Sequence, residues 1–163
     1  MESPEQHTLA ILKPDSFWRQ LDIEVAARIR HLGLTVVGEC RLAGVENLSA
    51  EQWQAFYFPA IGDKPSILKG TAQYMAFGPV LAIHLRGADA IRKLRAAAGA
   101  TRPWQAEKGT IRGDYWPGAD AANAPYRAKF EQPGDGNFLF NLIHSSDSPE
   151  SFAREIAFFA RLQ

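Results

Sequence analysis

The chain has 163 residues, 46% of them hydrophobic and 22% charged, with 18 basic and 18 acidic side chains, and at roughly 150 residues per domain this predicts one compact domain over residues 1–163 rather than a disordered chain. No apolar run reaches the roughly 20 residues that a membrane-spanning helix needs, and the acidic, polar start Met1-Glu2-Ser3-Pro4-Glu5-Gln6 is unlike a secretory signal, so a soluble cytoplasmic protein is expected. The single Cys40 excludes an internal disulfide and the usual cysteine-based zinc sites, and zero formal charge argues against a general electrostatic grip on nucleic acid.

In chain order, residues 7–13 (HTLAILK) read as a buried strand that a turn at Pro14 and Asp15 ends. Leu21, Val25, Ala26, Ile29 and Leu32 recur at helical spacing, and Gly33 stops that helix. Leu34, Val36, Cys40 and Leu42 then alternate with Thr35, Val37, Glu39 and Arg41, the period of a half-buried strand. Residues 47–75 read as two helical pieces, with Ser49 as N-cap and a break between Pro59 and Pro65. A third strand over 80–85 follows Gly78-Pro79, and a helix over 88–98 is closed by Gly99. Residues 101–128 carry Gly, Pro, Trp and charges without a sustained period and read as a long ordered loop. Residues 138–143 (FLFNLI) predict a fourth strand, and Ser148-Pro149-Glu150 opens a last helix through Phe159. This order is a split βαβ pattern: a ferredoxin-like α/β (α+β) sandwich, a four-stranded antiparallel sheet covered by helices. Such a fold licenses no activity by itself.

Residues 86–112 hold seven basic and two acidic side chains, a local +5 that the rest of the chain balances with −5. That is either a solvated helix face or part of a site for a small anion. Neither of the Gly-rich phosphate loops is present. His7, His31 and His84 read as structural, and no pair of histidines has the i, i+4 spacing of a helical metal site. His144 differs, because it stands between an apolar strand and a helix N-terminus, where free N–H groups favour anions. Glu155, turned inward beside Phe152 and Phe159, would fix one ring nitrogen and leave the other aimed as a nucleophile. The residues alone leave two readings, a satisfied structural histidine or this nucleophilic pair.

Asn141-Leu142-Ile143-His144-Ser145-Ser146-Asp147-Ser148, followed by Glu155-Ile156, resembles the active-site segment of the nucleoside diphosphate kinases. Thr8 to Asp15 (TLAILKPD) resembles that family's first strand and Gly78-Pro79-Val80 its third. Arg95 through Gly99 to Thr101 and Pro103 resembles a segment carrying an arginine and a threonine, and residues 108–114 (KGTIRGD) resemble the loop before the active-site strand. The resemblance implies transfer of the γ-phosphate of a nucleoside triphosphate to a nucleoside diphosphate, through a phosphohistidine and with Mg2+. It makes His144 the nucleophile, Glu155 the residue that orients its ring and Ser146 a support for that arrangement. Lys13, Tyr57, Arg95, Thr101, Arg112 and Asn141 match the nucleotide-site positions. Lys13 would approach the transferring phosphate, Arg95 and Arg112 the outer phosphates, Thr101 a phosphate, and Asn141 the sugar. The resemblance gives the metal no direct protein ligand: Mg2+ would be held through phosphates and water, with Asp147 either orienting metal-bound water or capping a helix.

The chain departs from the family pattern in four places. Ser145 stands where glycine is usual, and Ser66 and Ile67 follow Pro65 where an aromatic side chain usually stacks on the base. Asp114 and Asn141 stand 27 positions apart, which makes residues 115–137 an insert in a region that relatives use for subunit contacts. The chain also ends at Gln163 without the tail that often reaches a neighbouring subunit. A homo-oligomer is expected, a hexamer by the family pattern, with a tetramer or dimer as alternatives. The departures also define an alternative function: a nucleotide-binding regulatory protein of the same fold with weak or no kinase activity.

Overall fold

The computed structural model describes residues 2–131 and 140–163. Its centre is β1 (Glu5–Leu12), antiparallel on one side to β3 (Val80–Ala88) and on the other to β4 (Ile143–Ser145), while β2 (Thr35–Leu42) pairs antiparallel with β3 at the edge, giving the order β2-β3-β1-β4. The two-residue period of a strand sends alternate side chains of β1 to opposite faces. Leu9 and Ile11 join Trp53, Tyr74 and Met75 from α3 (Ala50–Ile61) and α4 (Pro65–Phe77). Ala10 and Leu12 join Val25 and Ile29 of α2 (Asp22–Arg30) and Leu94 of α5 (Ala90–Ala98). β1 is thereby buried on both faces, which explains the unbroken apolar run in its sequence.

The split βαβ order is as expected, and the differences lie at element ends. The turn at Pro14 and Asp15 is a short helix, α1 (Pro14–Trp18), with proline at its first position. The helix α3, closed at its start by the reciprocal Ser49–Gln52 capping box, runs through Pro59 to Ile61 instead of stopping there. In β2 a bulge between Val36 and Gly38 shifts the register, so that Val36 and Val37 are both exposed and the simple alternation fails. His84, next to the end of the strand expected over 80–85, lies well inside β3 because that strand runs on to Ala88, and there Nδ1 meets the Leu162 carbonyl and Nε2 meets His7. The stretch read as a loop over 101–128 contains α6 (Ile111–Asp114) and α7 (Ala119–Arg127), because both helices are short and the proline inside α7, Pro125, reads as a breaker. Of the strand expected over 138–143, residues 138 and 139 lie outside the described residues, Phe140 to Leu142 are not strand, and β4 begins at Ile143 and contains His144. The last helix, α8 (Pro149–Ile156), starts as expected at the Ser148 cap and ends before Phe159. Among the described residues no helix is long and apolar enough to cross a membrane.

α7 lies against the end of α1. Tyr126 stacks on Trp18 with ring centroids 3.9 Å apart and planes 7° from parallel, and the indole N–H of Trp18 donates to the buried Asn123 amide oxygen at 2.8 Å. The half-buried indole satisfies its N–H through this residue. Asn123→Ala is therefore expected to destabilise the protein by about 1–3 kcal/mol, read as a lower urea midpoint; an unchanged midpoint would refute this account of α7 docking.

Candidate active site

His144 lies in β4 opposite Ile11, with its ring wedged between the edges of Phe56 and Tyr57 of α3, at centroid distances of 5.2 and 5.5 Å. Its Nε2 is 2.8 Å from Glu155 Oε2. A carboxylate accepts, so Nε2 carries the proton and, in the neutral ring, Nδ1 keeps a free lone pair. The other Glu155 oxygen accepts from Ser146 Oγ at 2.7 Å, and that same Oγ accepts the Leu9 amide of β1 at 3.1 Å. α8 delivers Glu155 because its cap is fixed: the Ser151 amide donates to Ser148 Oγ, and Ser151 and Glu155, one turn apart, form its buried face. The ring is thus held through a chain of hydrogen bonds from the central strand.

His144 opens onto a cavity of about 340 Å3, within the range of small-molecule sites. Lys13, Arg95 and Arg112 supply its positive charge, and Tyr57, Thr101 and Asn141 line it as well, so the structure brings together every position that the sequence assigned to binding. Lys13 is buried, and its ammonium donates to Asn141 Oδ1 at 2.7 Å. Burial, and next the nearby Arg112 guanidinium, lower the Lys13 pKa to about 7, while Asp15 works in the opposite direction. Arg112 is also buried, and burial lowers its pKa to about 10. Its guanidinium donates to the carbonyls of Gly99 (2.9 Å), Asn141 (3.0 Å) and Ile143 (2.5 Å), leaving two of its five N–H groups for other partners. The Asn141 amide completes this frame by donating to the Thr101 carbonyl at 2.9 Å. Lys13, Asn141 and Arg112 therefore brace one another as well as facing the cavity.

Glycine is required at one point of this frame. A Cβ on Gly113 would stand 2.1 Å from the Glu107 carbonyl oxygen, so only glycine allows the tight approach that turns Arg112 inward from α6. Tyr57 supplies a different clue. Among the described residues its hydroxyl is one of two buried side-chain polar atoms without a partner, and burial, followed by Glu155, raises its pKa above the usual phenol value. It remains a protonated donor on the cavity wall, the kind of buried orphan that calls for a ligand.

Sequence reasoning missed the rest of the wall. Ala60 and Ile61 from the end of α3 and Thr71 from α4 line the cavity, whereas Ser66 is exposed and Ile67 packs against the core. The available signal was helical spacing, since Ile61 follows Tyr57 by one turn once the helix is allowed to pass Pro59. Asp147 lines the cavity beside Ser145, and hydrogen bonds with Ser151 and then Ser148 hold its carboxyl below the usual range. The +5 segment divides by residue: Arg95 and Arg112 face the cavity, while Arg86 pairs with Glu5 and Arg92 with Asp89 at the surface.

Comparison with known proteins places the chain among characterised sequences and folds. A family profile described as nucleoside diphosphate kinase matches residues 6–163. The nucleoside diphosphate kinase of Desulfovibrio desulfuricans is 36% identical over 154 residues, covering 94% of this chain and 93% of that protein. That of Halorhodospira halophila is also 36% identical, covering 94% and 92%. Among solved structures, the nucleoside diphosphate kinase of Halobacterium salinarum in complex with CDP superposes with a TM-score of 0.73 at 31% identity, covering 96% of this chain and 88% of that one. An NDP kinase from Pyrobaculum aerophilum gives 0.72 at 29% identity, covering 96% of both chains.

The buried Lys13 has a consequence for stability. Between about pH 7 and the ordinary lysine value of 10.5 the unfolded chain holds a proton that the folded chain has released, so raising the pH favours the fold in that window. Urea midpoints of the ligand-free protein are expected to carry this contribution, and Lys13→Met to remove it. Identical pH dependence in the two proteins would contradict a depressed Lys13 pKa.

Proposed function

Because this chain belongs to the nucleoside diphosphate kinase family and is a phosphotransferase, we propose that His144 Nδ1 carries the γ-phosphate between a nucleoside triphosphate and a nucleoside diphosphate. The observation that supports this most directly is the His144 ring itself: Glu155 holds Nε2, and the cavity that the ring borders is walled by Lys13, Arg95 and Arg112. In the first half-reaction the Nδ1 lone pair attacks the γ-phosphorus, the bond from that phosphorus to the β-phosphate oxygen breaks, and the diphosphate leaves with the electron pair. In the second, a terminal oxygen of another nucleoside diphosphate attacks the phosphorus, and the N–P electron pair returns to Nδ1. Glu155 stabilises the positive charge that grows on the ring, and Ser146 keeps Glu155 in place.

Phosphoryl transfer is chiefly a matter of positioned positive charge. In this reading Lys13 meets the transferring group, Arg95 and the two remaining Arg112 N–H groups the outer phosphates, and Thr101 a further phosphate oxygen. The unpartnered Tyr57 hydroxyl is a donor in the same cavity. Ala60 and Ile61 give the wall an aliphatic surface for the base in place of the aromatic side chain absent at Ser66 and Ile67. Asn141 spends one N–H and one oxygen lone pair on the frame and has one more of each for the sugar.

The residues fit Mg2+ held by the substrate. Among the described residues no cluster of three or more carboxylate, histidine or cysteine side chains forms a metal cage, and Asp147 is the one carboxylate on the cavity wall. When bound through phosphate oxygens and water, Mg2+ would neutralise phosphate charge, with Asp147 orienting a water. The same proposal takes residues 1–163 as one domain with 115–137 as an insert, and the protein as a cytoplasmic homo-oligomer. The exposed edge strand β2, with Val36 and Val37 at its surface, supports pairing between copies.

Incubation with γ-labelled ATP and Mg2+ is expected to give an acid-labile phosphoenzyme that discharges to GDP, and His144→Ala to abolish labelling. Normal labelling of that variant would overturn the role of His144. Nucleotide-dependent thermal stabilisation of the unaltered protein without any phosphoenzyme would favour the regulatory alternative.

A further inference from the structure

Just before the active-site histidine the backbone does something a leucine rarely allows. The Ile143 amide donates to the Asn141 carbonyl at 2.8 Å, closing a γ-turn around Leu142, whose φ is +72°. A γ-turn of this hand is rare and strained, and a branched side chain at positive φ adds to the strain. Such a turn persists only where its surroundings over-determine it. Here the Leu142 side chain is buried in the core beside Ile143, and its carbonyl accepts the Lys13 amide at 2.8 Å and Ser16 Oγ at 2.7 Å. Its own amide is left to a single acceptor, Asp15 Oδ2, at 3.1 Å.

Asp15 is fully buried in α1, two residues after Lys13. Its second oxygen accepts from the Tyr74 hydroxyl of α4, and that hydroxyl accepts the Asp15 backbone amide at 3.1 Å. Both carboxyl oxygens thus act as acceptors, which suits the ionised form. Burial pushes the Asp15 carboxyl up, while the Tyr74 hydrogen bond and then the Lys13 and Arg19 charges oppose that. A carboxylate sealed this deeply is costly unless its contacts matter, and none of the phosphotransfer steps uses it.

We propose that Asp15 is a positioning residue of the phosphotransfer reaction: by clamping the strained γ-turn at Leu142 it fixes Asn141, the Lys13 ammonium and the His144 strand relative to one another from a single point. The turn lies between the Asn141 side chain, which accepts from Lys13, and β4, which carries His144 one residue after Ile143. Both flanking carbonyls, of Asn141 and Ile143, also hold Arg112. Releasing Leu142 would let the turn relax towards negative φ, and Asn141, Arg112 and His144 would move with it. Asp15 has a second influence, because the groups around the Lys13 ammonium are Arg112 of α6, the Tyr57 ring of α3, Asn141 and Asp15. Of these only Asp15 is negative, so it helps Lys13 keep its proton against burial and against Arg112.

The inference rests on His144 being the nucleophile, and the test separates the two ideas. Asp15→Asn keeps the shape and one acceptor for Leu142 but removes the charge, whereas Asp15→Ala removes both. Phosphoenzyme formation from γ-labelled ATP is expected to slow by roughly 100-fold in Asp15→Ala, the loss that a misplacement of about an ångström produces, with kcat falling more than KM changes. In Asp15→Asn the alkaline limb of kcat/KM, which reports Lys13 in the free enzyme, is expected to move to lower pH. Should Asp15→Ala fail to fold, the pH profile of Asp15→Asn carries the test alone. Variants that label at the rate of the unaltered enzyme with an unmoved alkaline limb, even if less stable, would reduce Asp15 to a structural role and leave His144 intact. Absence of labelling in the unaltered protein would sink both readings.

Discussion

Three consecutive peptide groups, from Asn141 to Ile143, hold the site together. Their carbonyls are shared among Arg112, Lys13 and Ser16, and the one amide not spent inside the γ-turn or the strand goes to Asp15. A buried peptide group without a partner is expensive, so each of these side chains is fixed by backbone that cannot afford to lose it. Chain segments far apart in sequence, residues 13–16, 99–101, 112 and 141–146, are thereby locked at hydrogen-bond distances. His144 is the next residue along the strand.

The same burial sets the electrostatics. Burying the Lys13 ammonium and the Arg112 guanidinium disfavours both charges, and Arg112 adds to the effect at Lys13 as Arg95 does at Arg112, which is why both pKa values fall. The penalty is tolerated because an incoming polyphosphate would reverse it, and because in a water-poor site positioned charge acts on a ligand far more strongly than at the surface. Other basic residues of the same segment, Arg86 and Arg92, satisfy their charge locally with Glu5 and Asp89. Such exposed pairs contribute little to stability. One stretch of sequence thus contains both a solvated face and part of an anion site.

His144, the proposed nucleophile, is organised from the opposite side. Leu9, Ser146, Glu155 and His144 form a relay of hydrogen bonds that starts in the most buried strand of the sheet. Phe56 and Tyr57 restrict the ring by edge contacts. α7 packs beside α1, at Trp18, rather than on the cavity.

Much of this was readable in the chain. The apolar run at β1, the Ser49 and Ser148 caps and the helical stripe of α2 are local signals, and local periodicity and capping chemistry fix them. The residues of the site were legible through their family pattern, and His144 with Glu155 through the chemistry of a histidine facing a carboxylate. Local reading failed where distant contacts overrule local preference. α3 continues past Pro59 because Tyr57 and Ile61 pack inward on one face, α7 forms against Trp18, and β2 bulges so that Val36 and Val37 both face out. No periodicity could have announced a leucine at positive φ or a buried aspartate beneath it. Sequence alone named the groups to which the chemistry is assigned in the proposal, since their identities are chemical. Only the tertiary structure decided how they are held, because the strain at Leu142 and the depressed pKa of Lys13 arise where segments separated by more than a hundred residues meet out of water.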